Sequence, residues 1–234
     1  MAFCDATYIH LRRDVVAAEA LHVILGIDET GQKEVLDYGI FPTESAENYR
    51  SMLESLKQRG LEQILLVVSD GLNGMQKMLQ EVLPRTEYQS CWIHLIRNVQ
   101  RIVRVSDRKD ILTALKRVYG QKTEEDAKMM LSAFLDTFSY RYPKLAKLFE
   151  DKGNLFTFLK FPSSIQKSIY STNLIERCNK MIKKQIRKKE QFPNEASLDR
   201  FVYTIYNKYN AESGGKKHSG FAIAEPELAE WFEK

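Results

Sequence analysis

The sequence predicts an α/β fold: a mixed five-stranded sheet with flanking helices, interrupted by an all-helical stretch. Three observations carry this. The first forty or so residues hold three turn-bounded segments rich in β-branched and aromatic residues. Residues 45–105 then alternate helical periodicity with short apolar runs. Residues 107–168 show almost no strand pattern, and long helical patterns follow them. The composition is that of a globular chain: 234 residues, 44% hydrophobic and 28% charged, enough for one large domain or two small ones.

Residues 2–12 read as the first strand. Residues 21–27 read as a second, ended by the turn Asp28-Glu29-Thr30-Gly31, and 34–41 as a third, closed by Pro42. Successive turn-bounded strands suggest an antiparallel meander. Ser45 opens a helical pattern through Arg59, with Tyr49, Met52, Leu53 and Leu56 on one face and Gly60 as the stop. Residues 64–69 are apolar without polar alternation, as in a buried parallel strand. Gly71 to Leu83 reads as a helix stopped by Pro84. Residues 88–93 form a fifth strand, running into a helix with Ile96, Val99 and Val103 on one side. Ribonuclease-H-like folds are built in this order, although a fold is not a function.

The pattern divides the chain into a core first part (1–105), a helical insertion (106–168), a core second part (169–212) and a C-terminal tail (213–234). Within the insertion, Thr123-x-x-Asp126 marks a helix start and Pro143 suits a first turn. Phe156, Phe158 and Phe161 are the expected docking residues. A long helix spans 173–189, and another follows the Phe192-Pro193 break over 195–209. Ser213-Gly214-Gly215-Lys216-Lys217 has linker composition, so the last residues are expected to be loosely held.

The net charge of +4 points to nucleic acid only where the basic residues cluster. Three widely spaced cysteines make no disulfide framework and suit a reducing cytoplasm. The start is too polar for a signal peptide. The longest purely apolar run, 64–68, is far short of the ~18 residues of a membrane helix, which predicts a soluble protein.

Three acidic residues stand out. Asp70 follows the strand 64–69, at the kind of edge where active-site groups of open α/β sheets gather. It also reads as a helix cap or an Asp-Gly turn. Asp5 lies inside a strand, where aspartate is depleted and needs a reason; a solvent-facing position or fraying at the chain start is the alternative. Glu176 stands three residues after Asn173, the spacing of a capping box. Its helix carries an apolar stripe of Ile175, Cys178, Ile182 and Ile186. About 100° away, Glu176, Lys180, Lys183 and Arg187 share another face, widened by Lys184 and Lys188. A basic ridge ending in a carboxylate suits a phosphate backbone that leads to a metal site; a solvated charged face is the other reading. Cys91-x-x-His94 closes the fifth strand. Alone it holds too few ligands for structural zinc, with Cys4 and Cys178 as extras whose proximity is unspecified. A buried thiol and a hydrogen-bonded histidine form the plainer reading.

Together these segments resemble the Mutator-type transposases of bacterial insertion sequences. The matching stretches are Cys4-Asp5-Ala6-Thr7-Tyr8 running to Arg12-Arg13-Asp14, then Val68-Ser69-Asp70-Gly71. Gln89-Ser90-Cys91-Trp92-Ile93-His94 runs to Arg97-Asn98 in the same way. Ser171-Thr172-Asn173-Leu174-Ile175-Glu176-Arg177 with Asn179, and Phe192-Pro193-Asn194-Glu195-Ala196-Ser197, complete the set. The likeness covers nearly the whole chain in order.

The resemblance implies a ribonuclease-H-like catalytic domain with Asp5, Asp70 and Glu176 as its acidic triad, and Cys91, His94 and Asn173 in support. Converging carboxylates repel unless cations neutralise them, and oxygen-only ligands suit Mg²⁺ or Mn²⁺. Two ions ~3.5–4 Å apart are expected. The implied reaction is DNA strand cleavage followed by transfer of the freed 3′-hydroxyl. Arg177, Lys180, Lys183, Lys184 and Arg187 would hold the phosphates. Transposon ends and target DNA are the implied partners, with a homo-oligomer in the active complex and a cytoplasmic, nucleoid-associated location. The family's long helical region before the first aspartate has no counterpart here, which leads to the expectation of a chain truncated at its front. A truncated or co-opted DNA-binding remnant and a nuclease without a joining step are the alternatives.

Overall fold

The structure is a computed structural model that describes residues 1–12, 16–150, 153–189, 192–213 and 216–233. Arg13 and Asp14 of the first motif, and Gly214 and Gly215 of the expected linker, lie outside the described residues.

Five strands form one sheet: β1 (Ala2–Arg12), β2 (Val16–Ile27), β3 (Lys33–Phe41), β4 (Leu66–Ser69) and β5 (Glu87–Ser90). Their order is β3-β2-β1-β4-β5. β1, β2 and β3 form the antiparallel meander; β4 runs parallel to both β1 and β5. This is the mixed five-stranded arrangement of the ribonuclease-H-like fold. Two antiparallel steps make β3 parallel to β1, so β1, β3, β4 and β5 all run in the same direction. The β2–β3 turn is tied by Asp28, whose Oδ1 accepts from Gln32 N at 2.8 Å and Thr30 Oγ1 at 2.9 Å.

Strand alternation divides the core between the two faces. Ala2 and Cys4 of β1 join Ile24 and Val67 on one face. That face is covered by Tyr49, Met52, Leu53 and Leu56 of α1 (Ala46–Gln58) and by Met75, Met78 and Leu79 of α2 (Met75–Val82). Phe3 and Ile9 look the other way, with Leu21, Val23, Leu25, Leu66 and Val68. There they meet α3 (Trp92–Ile102), the helices α4 (Arg108–Tyr119), α5 (Glu124–Phe138), α6 (Pro143–Phe149) and α7 (Ser163–Ile169), and then α8 (Asn173–Arg187) and α9 (Glu195–Ser213). Trp92 joins the sheet to the helical region. It is fully buried, its Nε1 donates to Leu155 O at 2.7 Å, and its ring lies 5.3 Å from Tyr119 and 5.6 Å from Phe156.

Several boundaries differ from the sequence reading. The predicted helix from Gly71 begins only at Met75, because Gly71 and Gly74 take positive φ (91° and 82°) and turn the chain first. β5 stops at Ser90, and Cys91 is the N-cap of α3, so the Cys91–His94 pair spans a strand-to-helix junction. The expected loose tail instead contains α10 (Ser219–Glu233), which packs on α7. Phe221 and Ala224 are fully buried, and Trp231 stacks on Phe161 at 4.7 Å. The linker-like 213–217 stretch masked the helical spacing of Phe221, Ala224 and Leu228 behind it.

Candidate active site

The site forms where β4 and β5 end, beside the first half of β1. Phe3 pairs with Val68 across β1 and β4, so two residues further Asp5 and Asp70 come to equivalent positions on adjacent strands. Neighbouring strands lie about 4.8 Å apart, which makes the two carboxylates neighbours. Asp5 shares the face of Phe3, toward α8, and Asn179 of α8 donates its Nδ2 to Asp5 Oδ2 at 2.8 Å. Burial raises the Asp5 carboxyl to about 6; Asn179 opposes the shift, and the negative charges of Asp70 and Glu176 add to it.

The chain between α7 and α8 is fastened to the same edge. Cys91 N donates to Ser69 O at 2.7 Å and Trp92 N to Tyr170 O at 3.0 Å. Thr172, fully buried, donates from both its N and its Oγ1 to Cys91 Sγ at 3.3 Å. Its Oγ1 also lies 3.4 Å from His94 Nδ1. This is the buried thiol and hydrogen-bonded histidine of the plainer sequence reading. Burial works against the Cys91 thiolate, but the bonds from His94 and Thr172 outweigh it and lower its pKa. The bond to Cys91 in turn raises His94, against the effect of burial.

Glu176 reaches this edge from the first turn of α8, with Oε1 3.7 Å from His94 Nε2. Its side chain is not a capping-box partner. Arg97 of α3 grips it bidentately, Nη1 to Oε1 at 2.8 Å and Nη2 to Oε2 at 3.1 Å. Burial disfavours the Glu176 charge, but Arg97, with His94 and Lys180, holds the carboxyl below its ordinary value. The capping assignment of Asn173 is corrected too: Thr172 occupies the cap position, while Asn173 is helical and exposed.

The basic face of α8 is laid out as its spacing implied. Arg177, Lys180, Lys184 and Arg187 are exposed and Lys183 is half-buried. Among the described residues, none of the five forms an ion pair with a carboxylate.

The family model described as "Transposase, Mutator family" matches residues 1–213. The chain belongs to that family. It is 39% identical over 231 residues to "Transposase for insertion sequence element IS905" of Lactococcus lactis subsp. lactis (strain IL1403), covering 99% of this chain and 59% of that protein. It is 39% identical over 201 residues to "Transposase for insertion sequence element IS1201" of Lactobacillus helveticus, covering 86% of this chain and 54% of that protein. The chain thus spans between half and three fifths of these curated relatives. Among solved structures, the catalytic domain of Mos1 mariner transposase is 15% identical with a TM-score of 0.27, covering 64% of this chain and 78% of that one. The fold assignment rests on strand order, not on this likeness.

For a Mutator-family chain, the donor chemistry at this edge is informative. All three acids are oxygen donors, and burial and mutual repulsion raise Asp5. That combination fits a hard divalent cation. Among the described residues, no three His, Cys, Asp or Glu groups already stand at metal-holding distance, and Glu176 is occupied by Arg97. In the sequence, Arg97 and Asn179 stand out only as motif neighbours, and Thr172 has no part of its own. Their partners lie between 78 and 174 residues away along the chain, and only folding reveals them. Glu44 carries no sequence signal at all, yet its carboxyl is raised to about 7 by burial and by the charges of Asp70 and Asp5. A cavity of about 440 Å³ lined by Met1, Gly26, Asp28 and Lys33 lies at the opposite end of the strands and includes none of these acids.

No described helix is long and apolar enough to cross a membrane.

Proposed function

We propose that this chain is the catalytic domain of an insertion-sequence transposase, which cuts DNA and joins the freed 3′-hydroxyl to a target strand. The observation that carries the reading is the register that makes Asp5, inside β1, a neighbour of Asp70, just past the end of β4, with Glu176 within electrostatic reach of Asp5. Asp5, Asp70 and Glu176 are the proposed ligands of Mg²⁺ or Mn²⁺, with two ions as the expected complement. Bound there, the ions would activate the attacking oxygen and stabilise the leaving one.

The chain's own residues set the geometry. Asn179 orients Asp5 through its 2.8 Å bond. Thr172 and Cys91 hold the His94 ring beside Glu176. Arg97 keeps the Glu176 charge in place, at a side chain only 12% exposed. Arg177, Lys180, Lys183, Lys184 and Arg187 are the proposed phosphate contacts, leading DNA along α8 toward the acids. Residues 1–105 and 169–212 act as the catalytic core, interrupted by 106–168. DNA ends and target are the partners, a homo-oligomer is the working assembly, and the bacterial cytoplasm and nucleoid are the setting.

The test is nicking of a plasmid carrying the element's ends, with pre-cleaved ends supplied to read joining. Asp70→Asn and Glu176→Gln should each lower Mg²⁺- or Mn²⁺-dependent cleavage by roughly a hundredfold or more while the protein stays folded. Cleavage by Asp70→Asn at the unaltered rate would refute the assignment. One observation favours a second reading, a DNA-binding protein without chemistry: the Arg97 pair already occupies Glu176. That reading predicts DNA binding with no metal-dependent nicking.

A further inference from the structure

Both oxygens of Glu176 are engaged by one guanidinium: Arg97 Nη1 donates to Oε1 at 2.8 Å and Nη2 to Oε2 at 3.1 Å. While that fork stays closed, the whole carboxylate faces a cation of its own chain. The two ends of the pair differ in access. The Glu176 side chain is 12% exposed and that of Arg97 43%, so an anion in solution can reach the arginine end.

The two helices that meet here are cationic beyond the pair. On α3, Arg101 stands one turn after Arg97, exposed, with its Nη1 donating to Asn98 Oδ1 at 3.3 Å. On α8, Lys180 stands one turn after Glu176 and is exposed. Among the described residues, neither Arg101 nor Lys180 forms an ion pair with a carboxylate. A polyanion lying across the junction would meet the Arg97 fork between these free charges. Opening the pair would not strand Glu176. His94 Nε2 lies 3.7 Å from its Oε1, whereas a carboxylate left buried with no partner is strongly destabilising.

The ordinary account is a partly buried ion pair that fastens α3 to α8. Such a fastener needs no access from solvent and no unpaired cations around it. A guanidinium fork makes two parallel N–H···O bonds to a phosphate as readily as to a carboxylate. An accessible fork beside exposed cations therefore has a phosphate as its alternative partner.

We infer that Arg97 is a latch on Glu176 that opens by exchange: a DNA phosphate takes the guanidinium and frees the carboxylate for the site. The inference rests on DNA being the partner of this edge, and it adds a gate to that reading. Without DNA the third acid is closed off by Arg97. With a phosphate on the fork, Glu176 faces the two aspartates with His94 beside it. The site is complete only when a strand lies on it.

DNA affinity measured in EDTA tests this without any chemistry. Fluorescence anisotropy with a short labelled duplex of arbitrary sequence compares the unaltered chain, Glu176→Gln, Arg97→Gln and the double variant, each checked for folding by circular dichroism. Opening the latch weakens binding by the unaltered chain, so Glu176→Gln should bind at least about threefold tighter, and the gain should disappear once Arg97 is replaced. Arg97→Gln should also flatten the slope of log K against log salt by about 0.9, the loss of one phosphate contact. An equal gain in both backgrounds would mean that Glu176 merely repels DNA, and no gain in either would mean no latch; each overturns the inference. Should Arg97→Gln fail to fold, Arg97→Lys takes its place. An ammonium has no fork, so the gain must shrink there, and an undiminished gain overturns the inference. The latch and the chemistry can fail separately. Coupling without Mg²⁺-dependent nicking keeps the latch and sinks the catalytic reading, and nicking without coupling does the reverse. If none of these proteins binds DNA, both fall.

Discussion

Asp5 occupies a half-buried position next to Asp70 and within the field of Glu176, so ionising it in the folded state costs free energy. Its folded pKa, about 6, stands above the ordinary aspartate value of 3.8. A raised carboxyl contributes its full stability below the unfolded pKa and loses it as pH climbs through the folded one. Without divalent metal, the protein should therefore lose about 1–3 kcal/mol between pH 4 and pH 6–7 from this group. Asp5→Asn should melt higher than the unaltered chain at pH 8 without metal, and the gain should vanish near pH 4. A gain equal at both pH values would mean that the carboxylate is not strained. Metal should reverse the order at pH 8, since only the aspartate offers a charged ligand.

At the scale of elements, α8 does two jobs that its sequence periodicity separates. The Ile175, Cys178 and Ile182 stripe buries against the sheet, with Asn179 beside it reaching Asp5. The exposed side carries Arg177, Lys180, Lys184 and Arg187. If that side tracks a phosphate backbone, replacing Lys180, Lys183, Lys184 and Arg187 with Gln should weaken binding to all DNA sequences alike. The slope of log K against log salt should flatten by roughly one for each phosphate no longer neutralised. Filter binding or fluorescence anisotropy across a salt series reads both effects, and an unchanged slope would remove α8 as the DNA-bearing element. The burial pattern of this helix was legible beforehand because a stripe at helical spacing is a local property. The length of the second helix was less so. The glycines at 71 and 74 delay its start through positive φ, a backbone state that a count of apolar positions does not register.

Across the whole molecule, one apolar cluster runs from Phe3 and Val68 of the sheet through Trp92, Leu145 and Phe158 to Phe221 and Leu228 of α10. Sheet, helical stretch and terminal helix share that core, so they should unfold together. Urea unfolding followed by far-ultraviolet circular dichroism and by tryptophan fluorescence should give coincident transitions, since Trp92 and Trp231 report on different parts of the cluster. Phe221→Ala should lower the stability read from that transition by about 3–5 kcal/mol, the usual cost of emptying a buried aromatic site. Two separated transitions, or a Phe221→Ala change within a few tenths of a kcal/mol, would show that the helical parts stand apart from the sheet.

The sequence by itself determined the meander, the short buried strand, the capped first helix and the amphipathic α8, because each is written in spacings of a few residues. It also marked Asp5, Asp70 and Glu176, through motif order along the chain. Tertiary structure alone decided what surrounds them. Asn179 meets Asp5 across 174 residues, and Arg97 takes Glu176 across 79. Strand direction and helix docking create those neighbours, and no local pattern encodes an electric field built from distant segments.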